Sequence, residues 1–271
     1  MSYFEYLKLA QEPFSTSPDP RFLYRSESHV AALQRIEIAI RLRRGLVVIL
    51  GDVGAGKTTL SRALLQNFHG DDNYIFHMIL DPQFRSEFQF LAALNRMFKV
   101  KPRFRSTLDY REALEQYLFK KGVEENKTIV LMIDEGQKLT PSFLEILRIL
   151  LNYETNEYKL LQLVIFAQME LLPKIRRISN FMDRICLKYI LNPLDEKETG
   201  EMIAFRLKQA GYNNNGQLFT PGAIKQIYQF TQGYPRRIIH LCHNALEYLI
   251  MYDKSQVDEE MINYLITNEV L

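Results

Sequence analysis

The stretch Gly51-Asp52-Val53-Gly54-Ala55-Gly56-Lys57-Thr58 has the residue types and spacing to hold a polyphosphate. It follows the apolar run Leu46-Val47-Val48-Ile49-Leu50 and leads into Thr59-Leu60-Ser61-Arg62-Ala63-Leu64-Leu65. A strand is therefore expected before the loop and a helix after it, the context of a P-loop. Glycines let the backbone curl until successive N–H groups converge on phosphate oxygens. The helix turns its positive end toward the same anion. In that arrangement Lys57 reaches the β- and γ-phosphates and the Thr58 hydroxyl binds Mg²⁺. The residues from Gly51 to Thr59 are thus the expected contacts of ATP and Mg²⁺.

A second cluster lies downstream, where Thr128-Ile129-Val130-Leu131-Met132-Ile133 runs into Asp134-Glu135. Continuous apolar character predicts a strand buried on both faces, as in a parallel sheet. Asp134 at its carboxyl end can hold Mg²⁺, and Glu135 is placed to polarise an attacking water. A third apolar run, 160–166, ends at Ala167-Gln168, which brings a polar side chain to a strand end within reach of the γ-phosphate. Asp81, after the run Tyr74–Leu80, reads either as a switch partner for Glu135 or as a turn residue.

The elements that must position these groups follow from periodicity and punctuation. Helices are expected over about 28–43, 87–98 and 108–121, the last with Gly122 as its C-cap. Tyr74–Leu80 reads as a buried strand, and Thr140-Pro141 as the N-cap and first residue of another helix. Arg184–Leu191 reads as the last strand. Strands alternating with helices predict an α/β fold with a parallel sheet and ligand at the strands' carboxyl ends. From Asn192 onward only helices are expected: one opened by the capping box Asp195/Glu198, a second started by Thr220-Pro221 and ended by Gly233-Tyr234-Pro235, a third over about 236–252 and a fourth capped by Asp258. Three blocks result: an N-terminal extension packed on the core (1–28), a P-loop α/β domain (29–192) and a small helical lid (193–271).

Composition narrows the class. The 271 residues carry a net charge of +2, so bulk electrostatics do not call for a nucleic-acid partner. The apolar share, 47%, is ample for a core. Cys186 and Cys242 lack metal-ligand spacing and read as reduced, buried thiols of a cytoplasmic protein. The first residues show no basic secretory n-region, and no apolar run approaches the ~18–20 residues of a membrane span. The basic stretch Lys99, Lys101, Arg103, Arg105, with Phe104 inside it, reads as a solvated loop or as a contact to nucleic acid or an acidic partner.

Order and spacing together resemble an AAA+ ATPase, and more narrowly the ExeA/GspA-type ATPases of general secretion. The matching stretches are Pro13-Phe14 with Pro18-Asp19-Pro20-Arg21-Phe22-Leu23-Tyr24, the loop 51–60, Asp134-Glu135-Gly136-Gln137-Lys138-Leu139, Ala167-Gln168-Met169-Glu170-Leu171, and Gly233-Tyr234-Pro235-Arg236-Arg237-Ile238-Ile239. They cover nearly the whole chain. The resemblance implies that Gln168 is the sensor-1 residue and that Arg236 is the sensor-2 arginine, projecting from the lid onto the γ-phosphate. It makes Arg184 a trans-acting arginine finger, with Arg176 and Arg177 as rivals, and so implies a ring or filament of copies. The family usually carries Asp-Glu-Ala-Gln-Asn-Leu and Gly-Gln-Pro-Glu-Leu; here Gly136, Lys138, Ala167 and Met169 differ. Two uses follow from the resemblance. One is energy coupling to a partner protein of a secretion assembly. The other is ATP-dependent binding of duplex DNA with recruitment of a transposase, as in the similar TniB and TnsC ATPases.

Overall fold

Apolar runs at 46–50, 74–79, 128–133, 161–167 and 185–190 become the strands of one parallel sheet in the computed structural model. The structure describes residues 3–17, 19–103, 106–213 and 217–268, so Pro18, Phe104 and Arg105 lie outside it. In chain order the elements are α1 (Tyr3–Tyr6), α2 (Glu27–Arg41), β1 (Leu46–Leu50), α3 (Lys57–Asn67), β2 (Tyr74–Ile79), α4 (Glu87–Met97), α5 (Thr107–Phe119) and β3 (Thr128–Ile133). They continue as α6 (Pro141–Leu150), β4 (Leu161–Ala167), α7 (Leu171–Arg176), β5 (Ile185–Ile190), α8 (Glu196–Gln209), α9 (Pro221–Thr231), α10 (Pro235–Met251) and α11 (Glu259–Asn268). Two compact units form. One comprises His29–Asp52 with Leu60–Leu191, the other Met1–Ser28, Val53–Thr59 and Asn192–Leu271.

The sheet unit has strand order β2-β3-β4-β1-β5, all neighbours parallel. Every residue of β1, β3 and β4 is buried, since each strand has a neighbour on both sides. Leu50 pairs in register with Ala167 and Ile190, and Ile133 with Ile165, so these strands end together at one carboxyl edge. Leu131, Leu144, Leu147 and Leu163 are among the fully buried side chains of this core. Each such leucine contributes about 1.5–3 kcal/mol by leaving water.

Three expectations change here. β2 is an edge strand and only Ile79 in it is buried, because one of its sides carries no neighbouring strand. β5 is the other edge and its burial alternates; Cys186 on it is exposed, whereas Cys242 is fully buried as expected. Gly122 does not cap α5. It sits buried in a π-helical turn, Lys120–Glu124, and the left-handed residue beyond that turn is Asn126, φ +50°.

The helical unit is organised by its caps. Asp195 Oδ1 accepts the Glu198 N–H at 2.7 Å and Glu198 Oε2 accepts the Asp195 N–H at 3.2 Å, the capping box that opens α8. Thr220 caps α9 through the Ala223 N–H (3.2 Å), and Asp258 caps α11 through the Met261 N–H (2.8 Å). Ile203, Ile227, Ile238, Leu246 and Ile262 form the core of this unit, and Phe14 of the N-terminal segment belongs to it. That segment is fastened by Arg206, a buried residue of α8. Its guanidinium donates to the carbonyls of Pro13 (2.7 Å), Ser15 (2.9 Å) and Phe22 (3.2 Å) and lies over the Phe22 ring. The extension therefore packs on the helices that follow residue 192.

Candidate nucleotide site

At the carboxyl edge of the sheet, adjacent strands deliver the polar groups that the sequence singles out. The Gly51 N–H donates to the Ala167 carbonyl at 3.1 Å, tying the end of β1 to the residue before Gln168. The Asp134 N–H donates to the Ile79 carbonyl at 2.8 Å, which fixes the end of β3 against β2. Asp134 is buried, and its Oδ1 accepts the Glu135 N–H at 2.9 Å. Glu135 itself is left-handed, φ +53°. That conformation costs a side-chain-bearing residue ~1–2 kcal/mol.

The turn after Glu135 holds a residue that the motif reading passed over. Gln137 Nε2 donates to Glu135 Oε2 at 2.6 Å, and Gln137 Oε1 accepts the Gln168 N–H at 3.1 Å. Lys174 of α7 donates to the carbonyls of Gln137 and Leu139, holding the turn from its far side. Gly136 makes this packing feasible: a Cβ there would lie 2.3 Å from Ile165 Cγ2 and 3.2 Å from the Ala167 Cβ. Asp81 pairs with Lys138 Nζ at 2.8 Å, and Gln137 is the residue that donates to the Glu135 carboxylate. Gln137 matches the glutamine of the resembled family's pattern, but the pattern assigns it no role. Its role emerges only once β3 and β4 are adjacent.

The phosphate-loop residues 53–59 belong to the helical unit. Gly54 and Gly56 have φ of +83° and +90°, a conformation that side chains disfavour and that turns the loop's N–H groups inward. Lys57 is only 7% exposed at the first position of α3, and Thr58 follows it. The first turn of α10 meets this loop: the Arg236 N–H donates to the Gly54 carbonyl at 3.3 Å. A Cβ on Gly54 would lie 2.9 Å from the Arg236 Cβ. Arg236 itself is exposed.

Arg184 is elsewhere. It closes a 3-10 turn (Met182–Arg184) at the amino end of β5, the edge of the sheet opposite Gly51, Asp134 and Gln168. A six-residue strand separates the two edges by ~20 Å. There Arg44, Lys159 and Arg184 line a cavity of about 460 Å³ with Asn180, Asp183 and Cys186. Arg184 Nε is buried without a hydrogen-bond partner. Arg176 and Arg177 end α7 and are exposed.

The donor set fits a magnesium-bound nucleotide. A left-handed glycine loop, a buried lysine at a helix start, an adjacent hydroxyl and a buried carboxylate at a strand end are the groups such a ligand needs. Mg²⁺ keeps several waters and takes only one or two protein oxygens beside phosphate, and each unit by itself offers one such oxygen donor, Thr58 in the helical unit and Asp134 in the sheet unit. Among the described residues no helix is long and apolar enough to cross a membrane.

Comparison with known proteins agrees with this architecture. The model of the AAA domain family matches residues 40–175. General secretion pathway protein A of Aeromonas hydrophila is 35% identical over 246 residues, covering 90% of this chain and 44% of that protein. The chain thus spans under half the length of that relative. Among solved structures, the Aeropyrum pernix ORC2 protein (ADPNP–ADP complexes) superimposes with a TM-score of 0.66 at 16% identity, over 94% of this chain and 71% of the other. Drosophila ORC bound to DNA gives 0.70 at 20% identity, over 98% and 66%. The Thermotoga maritima RuvB Holliday junction branch migration motor gives 0.60 at 14%, over 91% and 72%. At these identities the structural likeness concerns the fold alone. With half of its length matched by the family model, the chain belongs to the AAA domain family and is a P-loop ATPase of the AAA+ type.

Proposed function

We propose that the protein binds Mg·ATP on Gly51–Thr59, hydrolyses it with Glu135, and passes its nucleotide state to other copies of itself and to a partner protein. The observation that carries this reading is the convergence of Gly51, Asp134-Glu135 and Gln168 on one edge of the sheet, from three adjacent strands. In this reading the loop N–H groups and Lys57 hold the phosphates, while Thr58 and Asp134 hold Mg²⁺, which neutralises developing phosphate charge. Glu135 orients the attacking water, Gln168 senses the γ-phosphate, and Arg236 carries that state to α10. Positioning and electrostatics supply the rate. Replacing Lys57 by Ala tests the binding half: calorimetry with ATP should show affinity lowered by at least about tenfold. Unchanged affinity would remove Lys57 from the site.

Arg184 lies ~20 Å from the carboxyl edge of its own sheet, so as an arginine finger it acts on a neighbouring copy. Such head-to-tail contacts build rings or filaments. Two inactive variants, Arg184→Ala and Glu135→Gln, should then regain part of the activity when mixed. The similarity to general secretion pathway protein A supports a role in a secretion assembly, to which ATP hydrolysis would couple energy. A second reading, ATP-dependent binding of duplex DNA, draws on the loop after α4, where Lys99, Lys101 and Arg103 are exposed. DNA affinity that needs ATP and falls steeply with salt would favour it; no binding at low salt would exclude it.

A further inference from the structure

We propose that Gln137 is the positioning residue of hydrolysis, a clamp that sets the Glu135 carboxylate and couples it to the end of β4. The proposal rests on reading Glu135 as the residue that orients water. Glu135 sits on a left-handed backbone between a strand end and a short turn, so its carboxylate direction is not fixed by a regular element. Gln137 fixes it. Its amide has a donor end and an acceptor end, and each meets the complementary partner: Nε2–H donates to Glu135 Oε2 (2.6 Å) and Oε1 accepts the Gln168 N–H (3.1 Å). Rotating the amide by half a turn would set oxygen against carboxylate and N–H against N–H, so only one orientation satisfies both. The turn that carries Gln137 is itself pinned. Lys174 binds its carbonyl and that of Leu139, and Gly136 lies flush on Ile165.

The consequence is mechanical. The backbone N–H that Gln137 accepts belongs to Gln168, whose side chain is the candidate γ-phosphate sensor. A shift of the β4 end in response to the phosphate is thereby transmitted through one amide to the carboxylate that orients water. Asp134 accepts the Glu135 N–H, Lys138 is held by Asp81 and also feels Glu135, and Lys174 holds the Gln137 carbonyl. None of them bridges the two strand ends as Gln137 does.

Two variants test this in the whole 271-residue chain, with Glu135→Gln beside them. Gln137→Ala should lower kcat for ATP about tenfold and leave KM within about twofold, since it touches orientation and not nucleotide binding. Gln137→Glu keeps the shape but sets a carboxylate against a carboxylate. It should lower kcat at least as much as Gln137→Ala, again with KM within about twofold. In a Glu135→Gln background neither change should lower kcat further. A kcat within twofold of wild type for both Gln137→Ala and Gln137→Glu, while Glu135→Gln abolishes turnover, would overturn the clamp alone. Normal turnover by Glu135→Gln would overturn the reading of Glu135 and the clamp with it.

Discussion

The backbone N–H of Arg236 donates to the carbonyl of Gly54 at 3.3 Å, so the first turn of α10 rests on the phosphate loop through main-chain atoms. The contact leaves no room for a side chain at residue 54, where a Cβ would meet the Arg236 Cβ at 2.9 Å. It also sets the exposed Arg236 side chain beside the loop that is to hold the phosphates. Gly54→Ala adds both crowding and the strain of φ +83°, which is ~1–2 kcal/mol. ATP affinity measured by calorimetry should fall about tenfold. Arg236→Ala keeps the backbone contact and removes only the guanidinium. It should leave the melting temperature unchanged and lower kcat about tenfold or more.

Gly136 and Ala167 should be energetically coupled. The resembled family usually carries Ala at the first position and Gly at the second, the reverse of this chain. Here a Cβ at 136 would lie 3.2 Å from the Ala167 Cβ and 2.3 Å from Ile165 Cγ2. Gly136→Ala should therefore destabilise by about 1–3 kcal/mol in urea unfolding. Adding Ala167→Gly should recover part of that loss, leaving the Ile165 contact as the remainder. Equal and additive effects would show that the two positions do not share space.

Arg206 should be required for the N-terminal segment to stay attached. It is buried and its guanidinium serves three carbonyls of that segment. Arg206→Ala strands those acceptors and should cost about 2–4 kcal/mol. Limited proteolysis should then cleave within residues 1–28 well before the wild type is cut there.

Local chemistry was legible in the residues, and tertiary relationships were not. The Asp195/Glu198 box and the Thr140, Thr220 and Asp258 caps form within four residues, so their pattern alone identifies them. The strands of the sheet centre announce themselves as unbroken apolar runs. β2 is equally apolar, yet its half-exposure depends on its place at the sheet edge, which strand order sets. Gln137 and Arg206 look like ordinary polar residues on a turn and a helix. Their partners, Gln168 and Pro13, are distant in sequence. The Walker-type groups were readable because phosphate chemistry constrains residue types over short spans. The contacts of Gln137 were not, because a matched glutamine does not say which strand end its amide reaches.

Acid should weaken the fold through His77. Its ring lies tilted by 41° against that of Phe98, with centroids 4.3 Å apart, and Nε2 is buried without a hydrogen-bond partner. Burial, helped by the nearby Lys99 charge, pushes its pKa down to about 4 from 6.5. Below pH 6.5 the unfolded chain gains a proton at this residue that the fold refuses. The contribution is thus fully present above pH 6.5 and is lost progressively as pH falls toward 4. Thermal melts between pH 7 and 4.5 should show a steeper decline for wild type than for His77→Leu. Parallel declines would show that His77 carries no such linkage.

In the proposed mechanism ATP is hydrolysed through the carboxylate of Glu135 at the end of β3. The most direct measurement pairs steady-state phosphate release with equilibrium ATP binding for Glu135→Gln and wild type. The account predicts ATP affinity within a few-fold of wild type and turnover reduced by about a hundredfold or more. Wild-type turnover by Glu135→Gln would contradict it.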